Sequence, residues 1–366
     1  MRVFHVSGEH FAQLDGWPDE LPAHGFLWLA SARREFELQA ADLQQALHRW
    51  GAGSLVDLHV SDLLNNQLPS HFDYTSWYDL LVFRRLAAGA GSEGMFLDDA
   101  KGTAASARLA LAAIDTSPVG FAVFDRLLLT VHPAECAVLD HFASRLANQA
   151  QPGEGRGLAR LPLSPADLML RMVNHMVDSY LELRRLLTRQ LGYVQQELLD
   201  PRSRFDDWQM LLDSRNALHQ LEDTCEDQRS AVQEWIDALD EWPVEPDRDK
   251  QRERELLRVR SRDVLEHVER VLGHVRRLEQ SAETAVQMHF SALGHRTNDI
   301  MRTLTVLTAI FLPLNLITGF FGMNFDSLPF IHSNAGFLVA ISSMVGVAVT
   351  LVIYFWRKRY IGTRGH

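Results

Sequence analysis

Cysteine is almost missing from this chain: two occur in 366 residues, Cys136 and Cys225, far apart and both in segments of soluble character. They do not amount to a disulfide framework, and their scarcity fits a reducing compartment. A basic excess is missing too. Asp and Glu outnumber Lys and Arg 47 to 36, giving a formal net charge of −11. Nucleic acid, whose phosphates need basic patches, is thereby excluded as an expected partner. The first residues, Met1-Arg2-Val3-Phe4-His5, have no apolar core of the signal-peptide kind. Catalytic signatures are also lacking. No Ser/His/Asp order or metal-hydrolase motif stands out, and Gly153-Glu154-Gly155-Arg156-Gly157 lacks the Lys-Ser/Thr ending of a phosphate loop, so it reads as linker. The expectation is a protein that is not an enzyme and requires no cofactor.

Charge is absent from two long runs near the C-terminus, Thr303–Phe321 and Ala335–Trp356. Each is long enough to cross a bilayer as a helix, which needs about 20 mainly apolar residues. Arg296 and Arg302 precede the first run, Arg357, Lys358, Arg359 and Arg364 follow the second, and the connecting loop Asn324–Asn334 has no Lys or Arg. By the positive-inside rule both chain ends face the cytoplasm and the loop faces outward. With no leader expected, these runs would direct insertion, and the expected location is a bacterial inner membrane crossed twice. The basic Arg357-Lys358-Arg359 tail has two readings that stay open, an anchor at anionic lipid headgroups and a positive collar at the inner end of a pore.

The rest of the chain has an ordinary soluble mixture of residues. In residues 1–150, Gly25–Ala30, Trp77–Leu86, Gly120–Phe124 and Leu127–Val131 read as strands, and Ala40–Trp50 and Ala134–Gln149 as helices, which predicts an α/β cytoplasmic domain. Asp125-Arg126 fits a tight hairpin between two of those strands. Residues 151–247 begin with a Gly/Pro linker and predict an antiparallel helical pair rich in Asp and Glu. Its first helix starts at Ser164-Pro165, an N-cap serine followed by proline at the first helical position, and runs to about Leu199. The second covers about Phe205 to Leu239. Proline is then absent from Arg248 until Pro313. Residues 248–302 predict a stalk helix that continues unbroken into a first membrane span, 303–323. An outer loop, 324–334, a second span, 335–356, and a basic cytoplasmic tail, 357–366, complete the organisation.

Stepping back by threes and fours from residue 322 gives Asn298, Met301, Thr305, Thr308, Leu312, Asn315, Gly319 and Gly322, while the intervening positions are mostly Leu, Val, Ile and Phe. Polar groups within a membrane ordinarily face a bundle interior or a water-filled cavity. Two helices of one chain cannot enclose a channel, so a pore-lining stripe implies several copies around an axis. Helix packing is the competing account, because small and polar residues also hold membrane helices together.

The tripeptide Gly322-Met323-Asn324, placed between the two spans, resembles the signature of the CorA family of divalent-cation channels. Thr297-Asn298-Asp299-Ile300-Met301-Arg302-Thr303-Leu304-Thr305 is similar to that family's Thr-Asn-Glu-Val-Met-Lys-Val-Leu-Thr segment, and Phe311-Leu312-Pro313-Leu314-Asn315 to its Phe-Met-Pro-Leu-Thr. The resemblance implies a funnel-shaped homopentamer that passes Mg2+, with Co2+ or Ni2+ as further substrates. It implies a selectivity filter at Gly322, Met323 and Asn324, and pore positions at Asn298, Met301, Leu304, Leu312 and Asn315, joined by Thr305 and Thr308 from the stripe. It also makes Mg2+ a regulator. Asp263, in Arg262-Asp263-Val264-Leu265-Glu266-His267, resembles the family's intersubunit metal-sensing aspartate, with Asp98 or Asp99 as unassigned partners; an exposed stalk carboxylate is the other account. The outer loop departs from the family's Met-Pro-Glu-Leu element and keeps only Asp326 as a fixed negative charge. That departure leaves two alternatives standing: a zinc transporter like the ZntB branch, possibly driven by protons, and a membrane-anchored sensor or scaffold without transport. Zinc ligation by His267, His274, His289 and His295 is not favoured, since their spacings of 7, 15 and 6 put no compact set on one helix face. They are expected to be solvated, and His332 is a lone loop histidine.

Overall fold

The computed structural model describes residues 1–8, 10–88, 114–134, 136–150, 161–199, 208–242, 247–323 and 334–358. They fall into two units, Met1–Thr284 and Ala285–His366.

The first unit is built on a seven-stranded sheet. Its strands are β1 (Arg2–Val6), β2 (Phe11–Leu14), β3 (Phe26–Ala32), β4 (His71–Tyr74), β5 (Asp79–Arg84), β8 (Pro118–Val123) and β9 (Leu127–His132), in the order β2-β1-β3-β9-β8-β5-β4. A separate two-stranded ribbon pairs β6 (Ala87–Ala88) with β7 (Ile114–Asp115). Only β3 and β9 run parallel, with Leu29 opposite Leu129; the other neighbours are antiparallel. Successive strand residues point to opposite faces, and each face here has its own core. Phe4, Val6, Phe26, Trp28 and Ala30 belong to one, Val3, Leu27 and Leu29 to the other. Because both faces are covered, every residue of β8 and β9 is buried, and these strands read as continuous apolar runs with no alternation. Phe124 N–H donates to Leu127 O at 2.9 Å, closing the hairpin expected at Asp125-Arg126. At Gly120 a Cβ would lie 2.3 Å from Leu63 Cδ2, so only glycine lets the helix above approach this strand.

One face is covered by α1 (Arg33–Arg49) and α2 (Asp57–Leu64), which contribute Phe36, Leu43, Leu47 and Leu63. The other carries α3 (Ala137–Ala150) and α4 (Pro165–Asp178), followed by α5 (Tyr180–Leu199), α6 (Trp208–Glu241) and α7 (Arg248–Phe321). Ser164 caps α4 by accepting the Asp167 N–H at 3.3 Å. The single helix expected from Ser164 to Leu199 is in fact two. Ser179 alone separates them: its backbone is still helical (φ −60°, ψ −20°) and its N–H donates to His175 O at 3.0 Å, while its hydroxyl donates to Met176 O at 2.5 Å. The apolar faces of α5 and α6 are not reserved for each other. Leu183, Leu187, Leu218, Leu221, Val232 and Trp235 join the same cluster as Phe72 and Phe83 of the sheet, together with Leu257, Val264, Val268 and Val275 of α7. Residues 151–160, 200–207 and 243–246, where the linker and the helix ends were expected, lie outside the described residues.

One half-buried carboxyl on the sheet is costly. Burial, assisted by the charge of Asp125, pushes the Asp79 carboxyl up from an ordinary 3.8 to about 6. The folded state then binds a proton more tightly than the unfolded chain, so stability falls as pH rises from about 4 to 6 and the whole penalty is present above that range. Asp79→Asn should therefore raise stability near pH 7 by on the order of 2–3 kcal/mol. The gain should vanish below about pH 4, as read from thermal unfolding at several pH values.

The second unit consists of the C-terminal part of α7 and a final helix, α8 (Asn334–Arg357). As expected, α7 is a single helix of 74 residues that passes through Pro313 without ending. It is roughly 110 Å long at 1.5 Å per residue, far more than a bilayer requires. Both helices contain a window long and apolar enough to cross a membrane, and only 6% of each window is buried.

Candidate ion-conduction site

Along α7 the half-buried positions beyond residue 301 are Arg302, Ala309, Ile310, Pro313, Leu314, Ile317 and Phe321, with Val306 buried at 6% exposure. They form one stripe. α8 has a matching stripe at Ala340, Ser343, Met344, Val347, Ala348, Leu351 and Phe355, with Gly336 buried at its start. Each helix thus has one covered side and one open side. At about 100° per residue, the 298–322 polar stripe lies roughly 150° from the covered stripe of α7. Asn298, Met301, Leu304, Thr305, Thr308, Leu312, Asn315, Gly319 and Gly322 are all exposed, Leu312 by 69%. Packing within one chain therefore does not account for these polar groups.

The threonines have a specific chemistry. Thr305 donates its hydroxyl proton to Met301 O and Thr308 to Leu304 O, each at 2.8 Å, and Thr318 to Asn315 O at 3.0 Å. With the proton committed to the backbone, the oxygen lone pairs remain free as acceptors. The open side of α7 thus offers neutral oxygen acceptors interrupted by the apolar side chains of Met301, Leu304 and Leu312.

The helix ends where the tripeptide begins. Gly322 N–H donates to Thr318 O at 2.9 Å and Met323 N–H to Phe320 O at 3.4 Å, a tightened last turn. A Cβ on Gly322 would sit 2.9 Å from the Thr318 carbonyl, closer than such atoms approach, so glycine is required by the turn itself. Met323 is exposed, and Asn324 lies outside the described residues.

A family model, the CorA-like Mg2+ transporter protein, matches residues 106–359, more than half of the chain. The chain belongs to the CorA family. Among its relatives, the cobalt/magnesium transport protein CorA of Thermotoga maritima is 31% identical over 100 residues, 27% of this chain and 28% of that one. The magnesium transport protein CorA of Haemophilus influenzae is 33% identical over 101 residues, 28% of this chain and 32% of that one. The matched segment is thus under a third of either relative. Fold likeness extends much further. The CorA magnesium transporter of Methanocaldococcus jannaschii superposes with a TM-score of 0.71 over 98% of both chains at 17% identity. Full-length CmaX superposes with 0.66 over 98% of this chain and 97% of its own, at 18% identity. CorA transporters are membrane proteins, and the two apolar windows of α7 and α8 are this member's spans.

In this CorA-family chain Asp263 is an exposed carboxylate on the first-unit part of α7, 3.7 Å from His267 Nε2; His267 Nδ1 lies 3.5 Å from Asp178 Oδ1. Asp98 and Asp99 lie outside the described residues, as does Arg359, while Arg357 and Lys358 are exposed. The histidines of α7 are not uniformly solvated as expected. His274 is buried, and its Nδ1 is 2.8 Å from Tyr180 Oη with Thr188 Oγ1 3.5 Å from Nε2. Burial, with Arg184 and Arg277 nearby, holds its pKa below the ordinary imidazole value. His289 is buried as well, whereas His295 is exposed. Tyr180, the first residue of α5, supplies the hydroxyl that reaches the imidazole.

Proposed function

We propose that this protein assembles as a homopentamer and conducts Mg2+ into the cell down the membrane potential, with Co2+ or Ni2+ as further substrates. The carrying observation is the open polar stripe of α7, roughly opposite the covered side of the same helix and ending at Gly322-Met323-Asn324. A helix that exposes asparagine, threonine and glycine within a membrane needs other copies of itself or water on that side. Both are supplied if five copies line a wet axis. The family membership and the CorA names of the relatives support this choice of assembly and substrate class.

Mg2+ is small, hard and slow to give up water, so it usually keeps several waters when bound. Asn324 amide oxygens and the Gly322 carbonyl would hold a hydrated ion by hydrogen bonds to those waters, tightly enough to select and weakly enough to release. Met301, Leu304 and Leu312 would close the path by excluding water, and Asn298, Thr305, Thr308 and Asn315 would pass the ion between those constrictions. No nucleotide is needed: a divalent ion gains about 4.6 kcal/mol from a 100 mV inside-negative potential. The positive flanks of the spans support a topology with both termini in the cytoplasm and the 324–334 loop outside, which fits an inner membrane. Arg357, Lys358 and Arg359 would meet lipid headgroups or collar the inner mouth.

Flux into proteoliposomes under an imposed potential tests the reading. Mg2+ entry that grows with inside-negative potential and needs no pH gradient is the expected result. Proton-dependent Zn2+ entry with little Mg2+ entry would replace it with a zinc transporter, and no divalent flux at all would leave an anchored sensor or scaffold. For regulation, Asp263 would bind Mg2+ between neighbouring subunits and hold the pore shut. Asp263→Ala should then raise open probability severalfold at millimolar Mg2+ in planar-bilayer recordings, because the two carboxylates that a bridging cation would hold together are no longer a pair. An unchanged Mg2+ dependence would reduce Asp263 to its observed i,i+4 pairing with His267.

A further inference from the structure

His219 and Glu222 stand three residues apart on one face of α6, and Glu279 of α7 comes up against them. One ligand atom from each lies within 4.8 Å of the others. Nothing in the sequence marks this group, because 57 residues separate Glu222 from Glu279 and only the pairing of α6 with α7 joins them. That pairing is held by charge on both sides of the cluster. Arg276 donates from Nε to Glu222 at 2.7 Å and also pairs with Glu226, while Arg215 lies 3.9 Å from Glu283.

The two carboxyls are an awkward pair without a cation. Glu222 of α6 and Glu279 of α7 face each other with a carboxylate oxygen of each inside that 4.8 Å distance. Two carboxylates that share a site cannot both ionise cheaply, and a positive ion between them removes the conflict. Around the cluster, Glu222, Glu226, Glu279 and Glu283 outnumber Arg215 and Arg276, so the local charge favours a dication.

We propose that His219, Glu222 and Glu279 form a transition-metal site that clips α6 to α7 and takes Zn2+, Co2+ or Ni2+ in preference to Mg2+. An imidazole nitrogen with two carboxylate oxygens is the donor set of borderline metals, whereas Mg2+ demands an all-oxygen octahedron. Metal–ligand bonds of about 2.0–2.2 Å require the three ligand atoms to draw together by about an ångström, within reach of half-exposed side chains. Water fills the open coordination positions. The site is independent of the transport reading, since it lies wholly in the first unit and uses none of the proposed pore residues.

Co2+ titration of the purified full-length protein in detergent with millimolar Mg2+ present, followed by d–d absorption, tests the proposal. The wild type should bind one more Co2+ per chain than His219→Ala or Glu279→Gln, or should bind that ion at least 10–100-fold more tightly. Glu283→Gln, on the same face but outside the ligand set, should retain it. Zn2+ should also protect His219 of the wild type from diethylpyrocarbonate, read by peptide mass spectrometry, a measurement that needs no variant. Superimposable isotherms for wild type and variants, displacement of Co2+ by Mg2+, or unprotected His219 would each overturn it.

Discussion

Asn324→Ala should abolish selective Mg2+ flux while leaving the assembly intact. In the proposed pentamer one substitution removes a ring of amide oxygens at once. A hydrogen bond to the hydration shell of a bound ion is worth about 1 kcal/mol net, so five lost together amount to about 5 kcal/mol. That corresponds to more than a thousandfold weaker selection, since each 1.4 kcal/mol is a factor of ten. The neighbouring Gly322 is constrained differently. Its missing Cβ is demanded by the Thr318 carbonyl at 2.9 Å, so Gly322→Ala would disturb the end of the helix itself, an effect distinct from the loss of an amide oxygen. Flux selectivity in proteoliposomes, with oligomer size checked by light scattering, separates the two effects. Unchanged selectivity in Asn324→Ala would remove this residue from the filter.

Trp235→Ala should be the most damaging single change to the first unit. The indole is 1% exposed, meets Phe72 edge-to-face at 5.8 Å and Trp242 at 6.3 Å, and donates its N–H to Ser261 Oγ at 2.9 Å. Ser261 in turn donates to Leu257 O at 2.8 Å. One side chain of α6 therefore ties the sheet strand β4 to α7. Losing it leaves a cavity worth about 3–5 kcal/mol, and the buried Ser261 loses a hydrogen-bond partner. The unfolding midpoint should drop by roughly 6–20 °C, at about 2–4 °C per kcal/mol for a unit of this size. Trp235→Phe, which fills most of the cavity but cannot donate the hydrogen bond, should recover more than half of the loss; a shift equal to that of the alanine variant would place the hydrogen bond above the packing.

Legibility in the sequence followed the kind of signal each element carries. β3, β5, β8 and β9 were readable because strands covered on both faces are uninterrupted apolar runs. β1 and β2, on one edge of the sheet, and β4, on the other, were not assigned; β2 and β4 are only four residues each and too short to show a period. The boundary at Ser179 was invisible because serine is tolerated within helices and the backbone there stays helical. In the second unit the membership of the 298–322 stripe was legible, since helical spacing within a single helix needs no tertiary information, whereas its exposure was not.

The sequence by itself determined the two spans, the unbroken α7 and the residues of the polar stripe, because each follows from local hydropathy and a 3.6-residue period. Tertiary structure decided whatever depends on pairing between distant segments. It placed α5 and α6 in the core shared with the sheet, buried His274 under Tyr180, left the 298–322 stripe of α7 uncovered, and brought Glu279 to His219 and Glu222. The physical reason is the same in each case. Burial and electrostatic conflict are properties of neighbours in space, and one chain read in order names the side chains without saying which of them will meet.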